Sequence, residues 1–440
     1  MKDKWKVFFS NLKALKWKNL LLFAIACFYI GLVVVWVGER DSPIQYGGDF
    51  LGYWSVGKIA DEKGYSEIHD IDNLRIVETQ ELKALGFLGN TSDSSLSPPT
   101  AHYLSFYIVP FQLLSKLELK TSFWVWTLFN LAILIGYLVF YLRKVLPGNV
   151  VTNSGLSLLF LVLVSFPVFN NLVNGQVNIF LLVCVGEMIR NAVKKKPLLS
   201  GLWMGGLLLK PVLLILIIPI FLIMRNWKVL LGFIVSSGMI LTTSLILSGF
   251  TGMSALFNAW TKFGENSSLI GPGSMINWRM IGVNLNLLLN TPFGWVITGM
   301  GIVLTTLTVF FLIKQCPPYG RPSWVLIMLG VFAATLAITW HSHAHMAMVM
   351  IPFLVYVSLH KLLPEKIIFL WVLITPVSWI VIILMGSFLR NSDTFSILEY
   401  QGMVIALSGF IGNLAILVST VLNVNSRKLK LELKSEGVSF

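Results

Sequence analysis

Apolar runs of about 20 residues recur along nearly the whole chain, and they leave few folds open to it. The first covers residues 19–37. Others fall near 101–115, 122–142, 154–169, 178–190, 199–209, 211–224, 229–249, 293–313, 323–340, 346–359, 366–388 and 401–423. A helix needs about 20 apolar residues to cross a hydrocarbon core of about 30 Å. In lipid, backbone groups must be satisfied internally, which favours helices here. Only 12% of the residues are charged, against roughly 25% in soluble domains. The expected fold is an all-α polytopic membrane protein, one transmembrane domain over residues 1–440, with roughly 11–13 helical segments, several short or broken.

The formal net charge of +13 invites a nucleic-acid reading, but its distribution opposes one. Lysine and arginine collect in short stretches between apolar runs: Lys2 to Lys18, Arg143-Lys144, Lys194 to Lys196, Arg225 to Lys228 and Arg427 to Lys434. That is the positive-inside pattern of a plasma-membrane protein, a bacterial inner membrane being expected, and the bilayer is then the partner of these charges. The first run lacks a small-residue cleavage site after Cys27, so it reads as an uncleaved anchor. The three cysteines, Cys27, Cys184 and Cys316, are far apart and form neither a metal-ligand pattern nor a disulfide framework.

With the lysine-rich N-terminus in the cytoplasm, residues 38–99 form a first extracytoplasmic loop. This segment carries 11 of the 20 acidic residues, from Glu39 to Asp93. Within it, 67–86 has the composition of a helix lying along the membrane surface. The pairs 154–169/178–190 and 199–209/211–224 read as hairpins, their tips at 170–177 and Lys210 on the outer side. Segments 250–292, 341–345 and 389–400 map to that side too, and the basic C-terminus is cytoplasmic. Two full crossings by 101–115 and 122–142 would put Arg143 outside, so one of them is re-entrant or the count is off by one.

Asp49, in Gly47-Gly48-Asp49-Phe50, is a carboxylate close to a membrane face and therefore a candidate general base. Its bland alternative is a loop carboxylate capping a helix, and Asp41 is its competitor. Tyr53 and Trp54 stand close enough in sequence to wall such a site. Asn174-Gly175-Gln176-Val177-Asn178 offers a turn with amides suited to sugar hydroxyls or to helix ends. Lys210 interrupts a long uncharged stretch. It suits an anionic lipid phosphate, or else snorkels or pairs with Glu187. Arg279 can grip phosphate oxygens with two donors, or act as an interfacial anchor beside Trp278. Trp340-His341-Ser342-His343-Ala344-His345 has metal-like spacing, but no Asp, Glu or Cys stands nearby to complete a ligand set, so no metal and no cofactor is expected.

Taken in order, these motifs resemble glycosyltransferase family 87, within the GT-C superfamily. The carrying residues are Gly48-Asp49-Phe50 with Tyr53, Pro98-Pro99, Gly175 to Asn178, Lys210-Pro211, Asn277-Trp278-Arg279 and Trp340 to His345, over roughly 20–360. The resemblance implies a multi-helix GT-C fold whose first outer loop supplies the catalytic Asp49. It implies inverting transfer of a hexose, commonly mannose, from a polyprenyl-phosphate sugar to a hydroxyl of a lipid or glycan acceptor. Lys210, Arg279, His343 and His345 would hold the donor phosphate; Tyr53, Gln176, Asn178, Trp340 and His341 would line the substrate pocket. The family often shows two adjacent histidines two residues after a tryptophan. Here Ser342 and His343 take those places, which makes His343 the first choice and His345 the reserve. The competing reading is a transporter or flippase of a lipid-linked sugar, which favours an internal repeat that the sequence does not display.

Overall fold

The computed structural model describes residues 17–38, 48–86, 103–145, 153–265, 271–388 and 400–425. Asp41, Pro98 and Pro99 lie outside them, with 39–47 and 87–99 of the first loop, 389–399, and the basic stretches before residue 17 and after residue 425. The described residues form seventeen α-helices with short 3-10 turns between them and contain no strand. Five helices are long and apolar enough to cross a membrane: Leu119–Val145 (α5), Trp227–Thr261 within α11, Phe293–Lys314 (α13), Glu365–Gly386 within α16 and Gln401–Val424 (α17). Six shorter apolar helices accompany them. The protein is an all-α, multi-pass membrane protein.

The first span runs over Trp17–Gly38 (α1). After it, Phe50–Glu62 (α2) is buried along most of its length. The helix predicted at 67–86 is Ile71–Ala84 (α3). It starts where the Asp70 carboxylate accepts the Asp72 and Asn73 amides, as N-caps do. It packs on α2 through Leu74, Val77 and, unexpectedly, Glu78. The uncertain crossing at 101–115 is no full span: Ser105–Ile108 is a 3-10 turn and Val109–Leu114 (α4) has six residues. Ten such residues rise about 15–20 Å at most, so this segment reaches only part-way and α5 makes the crossing. Gly57 lets α4 close on α2, since a Cβ there would sit 2.3 Å from the Phe111 carbonyl oxygen.

Asn153–Leu163 (α6) and Phe166–Val173 (α7) lead to the 174–177 turn, and Asn178–Val193 (α8) returns. Pro197–Met204 (α9) and Leu214–Ile223 (α10) follow, and between them the helix dissolves into two 3-10 turns around Lys210. Helix α11 (Trp227–Glu265) carries the apolar run predicted at 229–249 well past its expected end, with a break at Gly249. Trp278–Leu289 (α12) folds back on α13, where Gly282 and Gly294 leave room for backbone-to-backbone approach. Pro322–Ile338 (α14) is buried on every side from Ser323 to Ala337, as expected of an all-apolar helix at the centre of a bundle. Ile351–Leu359 (α15), α16 (Glu365–Phe388) and α17 complete the chain.

Basic residues gather at one end of this bundle. The Lys195 ammonium donates to the Tyr319 carbonyl, Arg190 stacks over Phe140, and Phe221 at the foot of α10 meets Trp324. Glu187 is paired here with Arg190, which donates Nε to both carboxylate oxygens at 2.9 and 2.8 Å, and it accepts from the Tyr137 hydroxyl. The alternative in which Glu187 neutralises Lys210 is therefore excluded: Lys210 has its own partners at the opposite end.

Candidate active site

The opposite end holds a polar cluster drawn from widely separated segments. Gly48, at φ +49°, turns the chain into α2 and leaves Asp49 at the helix N-cap position. The Asp49 side chain makes no capping hydrogen bond to that helix. Its Oδ2 instead accepts from Gln176 Nε2 at 2.6 Å, across 127 residues of sequence. One turn along α2, Tyr53 donates its hydroxyl to Gln176 Oε1 at 2.9 Å and meets the Tyr103 hydroxyl, also at 2.9 Å. Beneath them Phe50, Phe111, Phe123 and Trp126 make a packed aromatic floor. Trp54 turns elsewhere, donating its indole N–H to the Leu117 carbonyl.

Gln176 stands on a tightly fastened turn. Gly175 adopts φ +61°, and a Cβ there would meet Phe50 Cβ at 2.5 Å, so only glycine fits. The Phe50 amide donates to Asn174 O, the Trp126 indole to Gly175 O, and Asn171 Nδ2 to Gln176 O. Asn178, expected in the pocket, is fully buried and donates through its backbone and side-chain N–H groups to Asn171 Oδ1. It braces the turn.

Lys210 leaves helical geometry at φ −135°, ψ 83°, as the following proline demands. Its ammonium donates to Gln176 Oε1 at 3.1 Å and lies 3.4 Å from His345 Nε2. In its ammonium form Lys210 has no lone pair, and His345 Nε2 is then the acceptor, with the imidazole proton on Nδ1. The charge of Asp49 is felt at both Lys210 and His343.

The three histidines follow the end of α14 and form a contiguous row, with ring centroids 4.7 Å apart for His341–His343 and 5.6 Å for His343–His345. Their turn is stitched to the segment before α12: the Ile276 amide donates to Ser342 O at 2.7 Å, and Asn277 Nδ2 donates to Thr339 O at 2.8 Å. Burial, with the charges of His343, Lys210 and Arg279 adding to it, pushes His341 down to about 3, so it is neutral at physiological pH. Among the described residues no group of three His, Cys, Asp or Glu side chains is arranged to hold a metal ion. The Lys210 ammonium against His345 would oppose a cation there.

Arg279 is the second residue of α12, whose N-cap Asn277 accepts the Met280 amide at 3.0 Å. Its guanidinium lies 4.2 Å from the centre of the Trp340 ring and donates to the Trp340 carbonyl, while its buried Nε has no hydrogen-bond partner among the described residues. Trp340 is 46% exposed and stacks at 16° on Trp295, which is 44% exposed. Thus Asp49, Tyr53, Gln176, Lys210, His343 and His345 meet in one cluster. Arg279, Trp340 and His341 adjoin it, and Asn178 supports it from behind. Tyr103 and Trp295 belong to the same surroundings and were not anticipated. Both are aromatic residues at the edges of apolar runs, where a membrane-interface anchor looks the same.

The family model described as glycosyltransferase family 87 matches residues 98–359, more than half of the chain. The chain belongs to glycosyltransferase family 87. No curated protein and no solved structure matches it. The matched stretch contains Gln176, Lys210, Arg279 and the Trp340–His345 segment, whereas Asp49 and Tyr53 precede it. As a glycosyltransferase the protein takes a sugar donor and an acceptor, and its membrane helices set both beside a bilayer.

Proposed function

We propose that this glycosyltransferase moves a hexose, mannose in the first instance, from a polyprenyl-phosphate sugar to a lipid or glycan hydroxyl on the extracytoplasmic face, with inversion at the anomeric carbon. The observation that carries the reading is the meeting of one carboxylate, Asp49, with a cation and imidazoles, Lys210, His343 and His345, at the end of the bundle opposite the basic clusters. Asp49 takes the proton of the acceptor hydroxyl, the acceptor oxygen bonds to the anomeric carbon, and the bond from that carbon to the phosphate oxygen breaks. The departing polyprenyl phosphate keeps the electron pair and gains a negative charge, which Lys210, Arg279 and a histidine stabilise.

The test is incubation of the purified full chain with polyprenyl-phosphate mannose and a lipid extract, reading released polyprenyl phosphate. Asp49→Asn is expected to lower release by about 10³-fold or more while the protein still inserts and elutes as a single species. Full activity in that variant would end the proposed mechanism.

A further inference from the structure

We infer that Gln176 is a positioning residue that couples the Lys210 cation to the Asp49 carboxylate, and that its amide is not a sugar contact. The inference rests on Asp49 being the base. Gln176 is 5% exposed, and its amide oxygen already accepts from two donors, the Tyr53 hydroxyl and the Lys210 ammonium. A carbonyl oxygen has two lone pairs, so none remains for a sugar hydroxyl. The amide nitrogen is committed to Asp49 Oδ2 at 2.6 Å.

Chemistry fixes which way round the amide lies. As an ammonium Lys210 can only donate, and as a carboxylate Asp49 can only accept. The flipped amide would set its NH2 against the ammonium and its oxygen against the carboxylate, losing both bonds. The backbone gives it no room to drift, because the 174–177 turn is fastened by Phe50, Trp126 and Asn171.

Two consequences follow. With Oδ2 held by Gln176, Oδ1 is the oxygen left to receive the acceptor's proton. The two ends of the amide also respond to each other. An ammonium on the oxygen polarises the amide and strengthens its N–H as a donor to Asp49. When a donor phosphate shares the Lys210 charge, that polarisation falls and the carboxylate becomes a stronger base. The base is thus readied by arrival of the leaving group, which opposes proton abstraction at an empty donor site.

The experiment compares wild type, Gln176→Met, Tyr53→Phe and Asp49→Asn, all as full chains in detergent, with polyprenyl-phosphate mannose as donor. kcat and the donor KM are measured across pH, and polyprenyl phosphate serves as the binding probe. Gln176→Met is expected to lower kcat about 10- to 100-fold, leave polyprenyl phosphate affinity within threefold, and move the acidic limb of kcat/KM upward by about one pH unit, because a hydrogen bond favouring the ionised carboxylate is gone. A raised donor KM with an unmoved limb would make Gln176 a sugar contact and overturn the inference, as would wild-type behaviour throughout. If Gln176→Met fails to fold, Tyr53→Phe carries the same test: a smaller upward shift supports the coupling and an unmoved limb overturns it. Asp49→Asn separates the two levels. An active Asp49→Asn removes the base itself, whereas an inactive one beside an unmoved Gln176→Met limb removes only the coupling.

Discussion

An ammonium has three N–H groups to satisfy, and Lys210 has two acceptors in reach among the described residues, Gln176 Oε1 and His345 Nε2. Under the proposed function a donor phosphate oxygen is the third. Lys210→Met is therefore expected to lower kcat/KM for the polyprenyl-phosphate donor by roughly 10²–10³-fold, since it removes a charge aimed at the leaving group. Steady-state kinetics on purified protein would show it, and a loss below tenfold would place Lys210 outside the donor site. Asp49, Lys210 and Arg279 were readable in the sequence because charge in an apolar setting is rare and conspicuous. Tyr103 and Trp295 were not, because tyrosine and tryptophan are ordinary at the ends of membrane helices. Asn178 shows the converse: its type suited a sugar, yet its burial against Asn171 gives it a structural job.

The elements that build the site are the imperfect ones. The break at Lys210-Pro211 was legible because proline disfavours helix at the residue before it. The shortness of α4 was legible only as a miscount of crossings, since apolar length does not reveal where a helix starts. Helix α3 was expected, but the side chain it buries was not. Glu78 is 4% exposed, and its Oε1 has no hydrogen-bond partner among the described residues. Burial pushes it up to about 8. Below the ordinary carboxylate value the proton is bound in both folded and unfolded chains, and Glu78 costs nothing. As pH rises from about 4.5 toward 8, the unfolded chain releases that proton while the folded one retains it, so stability falls across this window. Glu78→Gln is expected to flatten that part of a plot of Tm against pH and to stabilise the protein near pH 8 by a few kcal/mol. Parallel curves for variant and wild type would contradict it.

At the scale of the molecule, helix α8 separates the 174–177 turn at its start from the lysines at 194–196 beyond its end, and under the proposed function the positive-inside rule predicts that the cluster faces the extracytoplasmic side. Ser274 and Lys196 are exposed residues near the two ends. In a background lacking the three native cysteines, an impermeant maleimide is expected to label Ser274→Cys in intact cells and Lys196→Cys only after permeabilisation. The reverse pattern would invert the topology. The bundle class itself was readable from run length and charge placement, whereas the contacts across it were not, because they join residues from 34 to 135 positions apart.

Those separations have a consequence for how the protein matures. Asp49 reaches across 127 residues to Gln176, and Lys210 across 135 to His345. Helices can insert one by one as the chain is made, but the Lys210–His345 contact closes only once the segment after α14 is in place, so the complete site belongs to a late, non-local stage of assembly. Catalytic competence then reports completed tertiary docking, whereas helical content reports insertion. In a refolding time course the two are expected to separate, with helicity recovering first.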